Sequence, residues 1–178
     1  FGQGEGSLMK SLDKKLKDRT AQIGVMGLGY VGLPLSVAFA QAGFKVFGYD
    51  IDEQKCRTIQ SGKSNVGDVP MGDIQGVVRT GRLRVSTRPN ILKGLDAVVI
   101  CVPTPLRKTK DPDISYIVAA TEILAPRVTR GQLIVLESTT YPGTTRDVVL
   151  PILTRRGLKA GEDYFVAYSP EREDPGNP

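Results

Sequence analysis

Hydrophobic and polar positions follow two different periods along the chain, and segments of the two kinds alternate. Six short apolar runs have the length and the β-branched content of buried strands, and they cover residues 22–26, 45–49, 83–86, 97–102, 133–137 and 164–168. Between these runs, apolar residues recur at spacings of three and four. That spacing predicts helices over residues 31–41, 53–60, 72–78, 114–124 and 144–154, with a short helical segment at 89–93.

This alternation predicts a fold of the α/β class, because strands that alternate with helices form parallel sheets covered on both faces. Six strands suffice for both halves of a Rossmann-type doubly wound parallel sheet, whose expected strand order is 3-2-1-4-5-6. The chain has 178 residues, of which 40% are hydrophobic. That length supports one sizeable core and is short for two. We therefore expect one domain over residues 8–178.

The first twenty residues divide into two parts. Residues 1–7 are glycine-rich and aperiodic, which predicts a flexible leader. Leu8, Leu12 and Leu16 then recur every four residues among lysines, which predicts a short amphipathic helix over residues 8–20. We expect this helix to pack on its own domain. No apolar run is long enough to cross a bilayer, so we expect no membrane partner.

Charge and composition narrow the possible chemistry. The net charge is +5, but the basic residues are scattered and not interleaved with aromatic residues, which argues against nucleic acid and for a solvated surface. A mild positive field would also favour an anionic ligand. Histidine is absent, so these residues contain no imidazole base and no histidine metal site, and we expect no metal. Cys56 and Cys101 give no disulfide framework, and the expected compartment is a reducing cytoplasm. We expect Cys101 to be a buried, inert thiol.

A glycine-rich turn, Gly27-Leu28-Gly29-Tyr30-Val31-Gly32, follows the first predicted strand and opens the next helix. In that context the pattern is the fingerprint of a dinucleotide site. Gly27 would permit the tight turn, Gly29 would let the backbone approach a pyrophosphate, and Gly32 would allow close packing of helix on strand. The N–H groups at the helix N-terminus would supply the anion site.

Asp50 ends the second predicted strand, about twenty residues after Gly27, as the fingerprint requires. A carboxylate there accepts hydrogen bonds from the adenosine ribose hydroxyls and repels a 2′-phosphate. NAD is therefore the expected cofactor, in preference to NADP. A glycine-rich turn without a ligand, and another dinucleotide such as FAD, stay open as alternatives.

Residues that follow the other strands are also candidates, because ligands of open parallel sheets bind beyond the carboxyl ends of the strands. Three stretches, 101–105, 137–143 and 169–177, combine prolines with hydroxyl or carboxylate groups. Each of these stretches alone could equally well be an ordinary turn. Three such stretches at the same edge of the sheet as the glycine turn favour a binding site. The basic segment 107–113 is more typical of a solvated loop than of a phosphate-binding lid.

Together these motifs resemble the UDP-glucose/GDP-mannose dehydrogenase family, which oxidises the C6 alcohol of a nucleotide sugar to a carboxylate with two NAD. The matching pieces run in the family's order from residue 22 to the end: IGVMGLGYVGLPLSVAFA, YDID with Lys55, ICVPTPL, ESTTYPGTT and SPEREDPGN. The last three are most similar to the UDP-N-acetylglucosamine 6-dehydrogenase branch. UDP-glucose enzymes usually carry a PEFLREG-like segment where this chain has residues 170–176.

The resemblance implies cofactor contacts from seven residues beyond the glycines: Tyr30, Val31, Asp50, Lys55, Pro103, Thr104 and Thr139. Asp50 and Lys55 would lie on the adenosine ribose, and Thr104 and Thr139 near the nicotinamide half. Thr139 would also help to hold the catalytic water. Glu171 would lie beside the reacting C6 as a base or as a water-orienting carboxylate. The implied partner is a UDP-sugar, expected to be a UDP-N-acetylhexosamine, and the parent enzyme is expected to be a homo-oligomer.

The family's thiol nucleophile, its catalytic lysine and the aspartate near the thiol belong to a later part of the family's chains, and none of the three is present in these 178 residues. The second oxidation needs that thiol, because a covalent thiohemiacetal must give up a hydride to become a thioester. We therefore expect this chain to bind NAD without turnover.

Two other readings stay open at this point. One is the cofactor domain of a β-hydroxyacid or 6-phosphogluconate type of dehydrogenase, although those enzymes usually read GLGxMG where this chain has Gly29-Tyr30-Val31-Gly32. The other is a non-catalytic module that senses a nucleotide.

Overall fold

The computed structural model describes residues 3–64, 66–67, 69–105 and 112–170. Its six strands are β1 (Gln22–Met26), β2 (Lys45–Tyr49), β3 (Leu83–Ser86), β4 (Ala97–Ile100), β5 (Leu133–Leu136) and β6 (Phe165–Tyr168). They form one sheet in the order β3-β2-β1-β4-β5-β6, and every neighbouring pair is parallel. The predicted Rossmann-type fold and its strand order are confirmed.

Six α-helices accompany the strands in the described ranges: α1 (Gln3–Lys17), α2 (Gly32–Gln41), α3 (Glu53–Gln60), α4 (Met71–Arg79), α5 (Ser115–Leu124) and α6 (Leu150–Leu153). Short 3₁₀ turns cover Pro89–Leu92, Ala125–Arg127 and Thr154–Arg156. The helix predicted over residues 144–154 is a π-helical turn, Thr145–Val149, followed by α6. Pro151 explains the irregularity, because it has no N–H to donate and its ring crowds the carbonyl four residues earlier.

Helix α1 begins at Gln3, which corrects the expected flexible leader over residues 1–7: residues 3–7 continue the helix. Buried Leu12 and the ion pair between Lys15 Nζ and Asp96 Oδ1, at 2.6 Å, fix the helix to the sheet. Once a helix is nucleated, each added residue costs little, so the helix extends toward its amino end beyond the apolar stripe that starts at Leu8. No helix within the described ranges is both long and apolar enough to span a bilayer.

Two clusters of buried side chains cover the two faces of the sheet. The first lies under α5 and α6 and contains Met26, Tyr49, Ile100, Ile117, Leu124, Leu136 and Tyr164. The second lies under α2, α3 and α4 and contains Val25, Leu33, Ile59, Ile74 and Val85. All four residues of β4 are buried, as expected for a central strand covered on both sides.

The register of the sheet places the ends of the strands level with one another. Met26 of β1 pairs with Tyr49 of β2 and with Ile100 of β4, and Ile100 pairs with Leu136 of β5. The ladder continues one step further, where the Gly27 N–H donates to the Tyr49 carbonyl at 2.8 Å. The segments that follow β1, β2, β4 and β5 therefore start side by side at one edge of the sheet.

Candidate functional site

The three fingerprint glycines of the turn between β1 and α2 have different surroundings. Gly27 has φ +89°, and a Cβ there would lie 2.6 Å from the Cys101 carbonyl oxygen. A Cβ on Gly32 would overlap the carbonyl oxygen of Gly27. Nothing lies within 4 Å of the corresponding position on Gly29. The outer glycines are thus required by the turn itself, whereas the middle one leaves open space above the backbone.

The start of α2 presents amide groups that have no protein partner in the described part of the chain. Val31 precedes the helix without a side-chain cap, and the N–H groups of Tyr30, Val31 and Gly32 donate to no described residue. N–H groups at a helix N-terminus, together with the helix dipole, favour a phosphate or another anion. The turn therefore has the geometry of an anion site.

Asp50 is only 6% exposed and is held by three hydrogen bonds at the end of β2. Its Oδ2 accepts the Leu28 N–H and the Lys55 ammonium, both at 2.8 Å. Its Oδ1 accepts the Asp52 N–H at 3.0 Å. Burial acts to raise the pKa of this carboxyl, but the hydrogen bonds from Lys55, Asp52 and Leu28 outweigh it, so the pKa lies below its ordinary value. The group is a carboxylate at neutral pH.

Helix α3 brings Lys55 to this carboxylate. Asp52 caps the helix, because its Oδ1 accepts the Lys55 N–H at 3.0 Å. The Lys55 side chain lies on the first turn, with its Nζ on Asp50, and is 37% exposed. This contact joins two residues that the family resemblance places on the adenosine ribose.

A cavity of about 320 Å³ opens beside Asp50 at the ends of β1, β2 and β4. Four residues predicted to bind the cofactor line it: Gly27, Asp50, Lys55 and Pro103. The rest of the lining is largely apolar and comes mostly from α5 and the end of β2: Met26, Tyr49, Ile51, Asp52, Val102, Tyr116, Ala119, Ala120 and Ile123. A small apolar cleft next to a carboxylate and an ammonium group suits a flat heteroaromatic ring that carries a sugar.

Sequence reasoning missed Ile51 and Tyr116 in this lining. Ile51 is 75% exposed and Tyr116 is 44% exposed, and both border the cavity. The sequence contains a feature that could have indicated each of these two residues. Ile51 is an apolar residue between two aspartates, and Tyr116 shares one helical stripe with Ala120 and Ile123. The stripe alone indicates burial against the sheet, so only the fold shows that its first residue faces a cavity.

Thr104 and Thr139 follow the neighbouring strands β4 and β5. Thr104 is half-buried and Thr139 is exposed, and neither belongs to the described lining of the 320 Å³ cavity. The two strand ends are joined by the Ser138 hydroxyl, which donates to the Val102 carbonyl at 2.9 Å. Glu171 lies outside the described residues, as do residues 107–111 of the basic segment.

Hydroxyl groups fix the loop that carries Thr139. The Thr144 hydroxyl donates to the Tyr141 carbonyl at 2.9 Å and lies 2.6 Å from the Thr140 hydroxyl. Gly143, at φ +95°, allows the chain to turn into the π-helical segment. π-helical turns occur often at functional sites. This turn therefore supports the prediction that the loop after β5 is part of a functional site.

The two cysteines are buried and form no disulfide. Burial, with a smaller contribution from the Asp50 charge, raises the pKa of the Cys56 thiol. Cys101 is buried next to the glycine turn, as expected from its apolar neighbours. Neither has the exposed, electropositive surroundings of a nucleophilic cysteine.

The doubly wound sheet, the unpartnered amides at the start of α2 and the acid at the end of β2 define a dinucleotide-binding domain. Residues 21–178 match the NAD binding domain of the UDP-glucose/GDP-mannose dehydrogenase family. The chain belongs to this family, and its cofactor is NAD. The family assignment removes the β-hydroxyacid type of dehydrogenase as an alternative.

Relatives with the same fold act on nucleotide sugars, according to their names. The UDP-N-acetyl-D-mannosamine dehydrogenase of Pyrococcus horikoshii is 40% identical over 156 residues, which are 87% of this chain and 37% of that enzyme, and its structure superposes with a TM-score of 0.82. The UDP-N-acetyl-D-glucosamine 6-dehydrogenase of Salmonella typhi is 35% identical over 88% of this chain and 36% of its own length.

A third relative is the NDP-N-acetyl-D-galactosaminuronic acid dehydrogenase of Methanosarcina mazei. Its structure is 37% identical, has a TM-score of 0.82 and covers 93% of this chain and 38% of its own. This chain therefore spans little more than a third of the length of these relatives.

Proposed function

We propose that this chain is the cofactor-binding part of a nucleotide-sugar 6-dehydrogenase, which oxidises the C6 alcohol of a UDP-N-acetylhexosamine to a uronate with two NAD. The observation that carries the proposal is the cavity beside the Asp50–Lys55 pair, next to the unpartnered amides of α2. The names of the relatives, which act on N-acetylated UDP-sugars, support the substrate class.

In this proposal each part of the cofactor has its own contacts. Ile51 and Tyr116 would hold the adenine ring in the cavity, and Asp50 and Lys55 would hold the ribose. Gly29, which has open space above its backbone, would leave room for the pyrophosphate, and the amides of Tyr30, Val31 and Gly32 would donate hydrogen bonds to it. Pro103 borders the adenine end of the same cavity.

The reacting end of the cofactor lies near Thr104 and Thr139 in this proposal. When bound, NAD accepts the hydride that leaves C6 in each oxidation. The Thr139 hydroxyl, exposed at the end of β5, orients water or the sugar. Glu171, whose role rests on the family resemblance, is proposed as the base or water-orienting carboxylate beside C6.

A thiol that can form the covalent intermediate is not available among these residues. Cys56 and Cys101 are both buried, and the chain contains no histidine that could activate either thiol. We infer that the 178 residues bind NAD but do not complete the oxidation. The cytoplasmic location and the homo-oligomeric state of the parent enzyme remain expectations from cysteine content and family resemblance.

Calorimetry and an absorbance assay for NADH test the proposal together. NAD should bind the 178-residue chain saturably, and NADP should bind at least about tenfold more weakly, because Asp50 repels a 2′-phosphate. The chain with UDP-N-acetylglucosamine or UDP-N-acetylmannosamine should form no NADH, whereas the parent enzyme should. Absence of NAD binding, or NADH production by the chain alone, would contradict the proposal.

A further inference from the structure

The Asp50 carboxylate is already occupied by donors from the protein itself. A carboxylate has about four acceptor positions, two on each oxygen. On Asp50, the Leu28 N–H and Lys55 Nζ take both positions of Oδ2, and the Asp52 N–H takes one position of Oδ1. One position therefore remains for a ligand. A ribose has two neighbouring hydroxyls, so Asp50 accepts only one of them unless an internal bond breaks.

One of the three internal bonds reaches into the glycine turn. Leu28 is the second residue of that turn, is fully buried, and packs its side chain against Gly48 of β2. Two successive amides of the turn are thereby tied to the end of β2. The Gly27 N–H donates to the Tyr49 carbonyl and the Leu28 N–H to Asp50, both at 2.8 Å. The unpartnered amides of the described turn start two residues further on, at Tyr30.

We propose that Asp50 is a positioning residue for the pyrophosphate site as well as the ribose acceptor. Its carboxylate holds Leu28, and through Leu28 it fixes the turn in the conformation that presents the amides of α2 to an anion. The inference rests on the proposed cofactor site. It predicts that loss of the carboxylate weakens the binding of a pyrophosphate even when the ligand has no ribose hydroxyl.

Two ligands separate the two roles. ADP carries the pyrophosphate and the ribose hydroxyls, whereas 2′,3′-dideoxy-ADP carries the pyrophosphate without the hydroxyls. Calorimetry on the 178-residue chain should show that Asp50→Ala weakens dideoxy-ADP by about tenfold, the effect of one lost charge-assisted hydrogen bond. ADP should weaken by more than that, because it also loses the acceptor of a ribose hydroxyl. If Asp50→Ala weakens ADP alone, Asp50 acts only on the ribose and the proposal is wrong.

Amide hydrogen exchange gives a second measurement that needs no ligand. In Asp50→Ala the Leu28 amide should exchange at least about tenfold faster than in the parent chain, because its acceptor is gone. The Gly27 amide, which keeps the Tyr49 carbonyl, serves as the internal reference. Unchanged exchange at Leu28 in the folded variant would overturn the proposal.

Asp50→Asn covers the case in which the alanine variant does not fold, because its Oδ1 is still an acceptor for the Leu28 N–H. This variant should keep Leu28 protected and bind dideoxy-ADP within about threefold of the parent chain, while ADP weakens more. Equal losses for both ligands with Leu28 protected would contradict the proposal. If the parent chain binds neither NAD nor ADP, the proposed function fails first, which distinguishes the two failures.

Discussion

Neighbouring glycines of one turn meet quite different surroundings. Gly32 has no room for a methyl group, because the carbonyl of Gly27 occupies that space, whereas Gly29 faces open space. Neither needs a positive φ, so steric contact alone separates them. The fingerprint therefore combines a glycine that the fold requires with one that the fold does not require.

Alanine at these two positions should separate folding from binding. Gly29→Ala should unfold in urea at the same concentration as the parent chain, but calorimetry should show NAD bound at least about tenfold more weakly, since the methyl group takes the space of the pyrophosphate. Gly32→Ala should lose about 3 kcal/mol of stability through overpacking. Equal stability of the two variants would contradict this steric account.

The lowered pKa of Asp50 makes its contribution to stability dependent on pH. The folded-state pKa lies below the ordinary value of 3.8, so the contribution is complete above that value and falls as pH drops through the folded-state pKa. Urea unfolding should give a constant difference in stability between the parent chain and Asp50→Asn from pH 7 to about pH 5. The difference should shrink only at more acidic pH. A difference that shrinks near neutral pH would show that the pKa is not lowered.

Tyr116 offers a test of the proposed adenine site in the cavity beside Asp50, with a matched control. Tyr116 and Tyr168 are almost equally exposed, at 44% and 45%, but only Tyr116 borders the cavity. Tyr116→Ala should weaken ADP binding about fivefold to tenfold, because the loss of stacking area costs about 1 kcal/mol or more. Tyr168→Ala should leave it unchanged in calorimetry. Equal effects of the two substitutions would remove Tyr116 from the site.

At the level of elements, the sequence predicts most boundaries because burial repeats with a strict period. Strands β1, β2 and β3 and helix α3 begin and end where the pattern places them. The prediction is wrong where local chemistry competes with the period, as at Pro151, or where a helix extends beyond its apolar stripe, as α1 does before Leu8. The cavity is harder to predict, since Ile51 and Tyr116 are brought together by the sheet and share no local motif.

The hydrogen bond between Leu28 and Asp50 is also hard to predict, because it joins the segment after β1 to the segment after β2. The sequence of neither segment indicates this contact. The fingerprint places the acid at the end of β2 by its distance along the chain. It does not show that the acid is tied to the glycine turn, because that contact depends on how β1 and β2 pair.

The cap of α3 links the stability of an element to the site. Asp52→Ala removes the acceptor of the Lys55 N–H and should cost about 1 kcal/mol in urea unfolding. It should also weaken NAD binding in calorimetry, because the first turn of α3 carries Lys55. Asp52→Asn keeps a capping oxygen and should retain most of the stability. If Asp52→Ala lowers stability without any change in NAD binding, α3 does not control the position of Lys55.

For the molecule as a whole, opposite edges of the sheet have separate tasks. Helix α1 is fixed at the amino ends of the strands, through Leu12 and through the contact of Lys15 with Asp96. Asp96 also accepts the N–H of Gln22, the first residue of β1, at 2.8 Å. The proposed cofactor site lies at the carboxyl ends of the strands. Changes at one edge should therefore affect stability without affecting binding.

Leu12→Ala tests this separation. The truncated side chain should cost about 2 kcal/mol in urea unfolding, within the range for buried leucine. NAD affinity at a temperature where the variant is folded should stay within about twofold of the parent chain. A larger loss of affinity would show that the two edges are coupled.

The level strand ends also set a length scale for the ligand. Asp50 follows β2 and Thr139 follows β5, and the order β2-β1-β4-β5 places three interstrand gaps between them. At about 4.8 Å a gap, the two residues act about 14 Å apart. A ligand that reaches both must lie stretched across the sheet. In the proposed site, the part of the ligand bound at Asp50 is then far from the part near Thr139. Substitutions near Asp50 can therefore change the binding affinity without changing the geometry near Thr139.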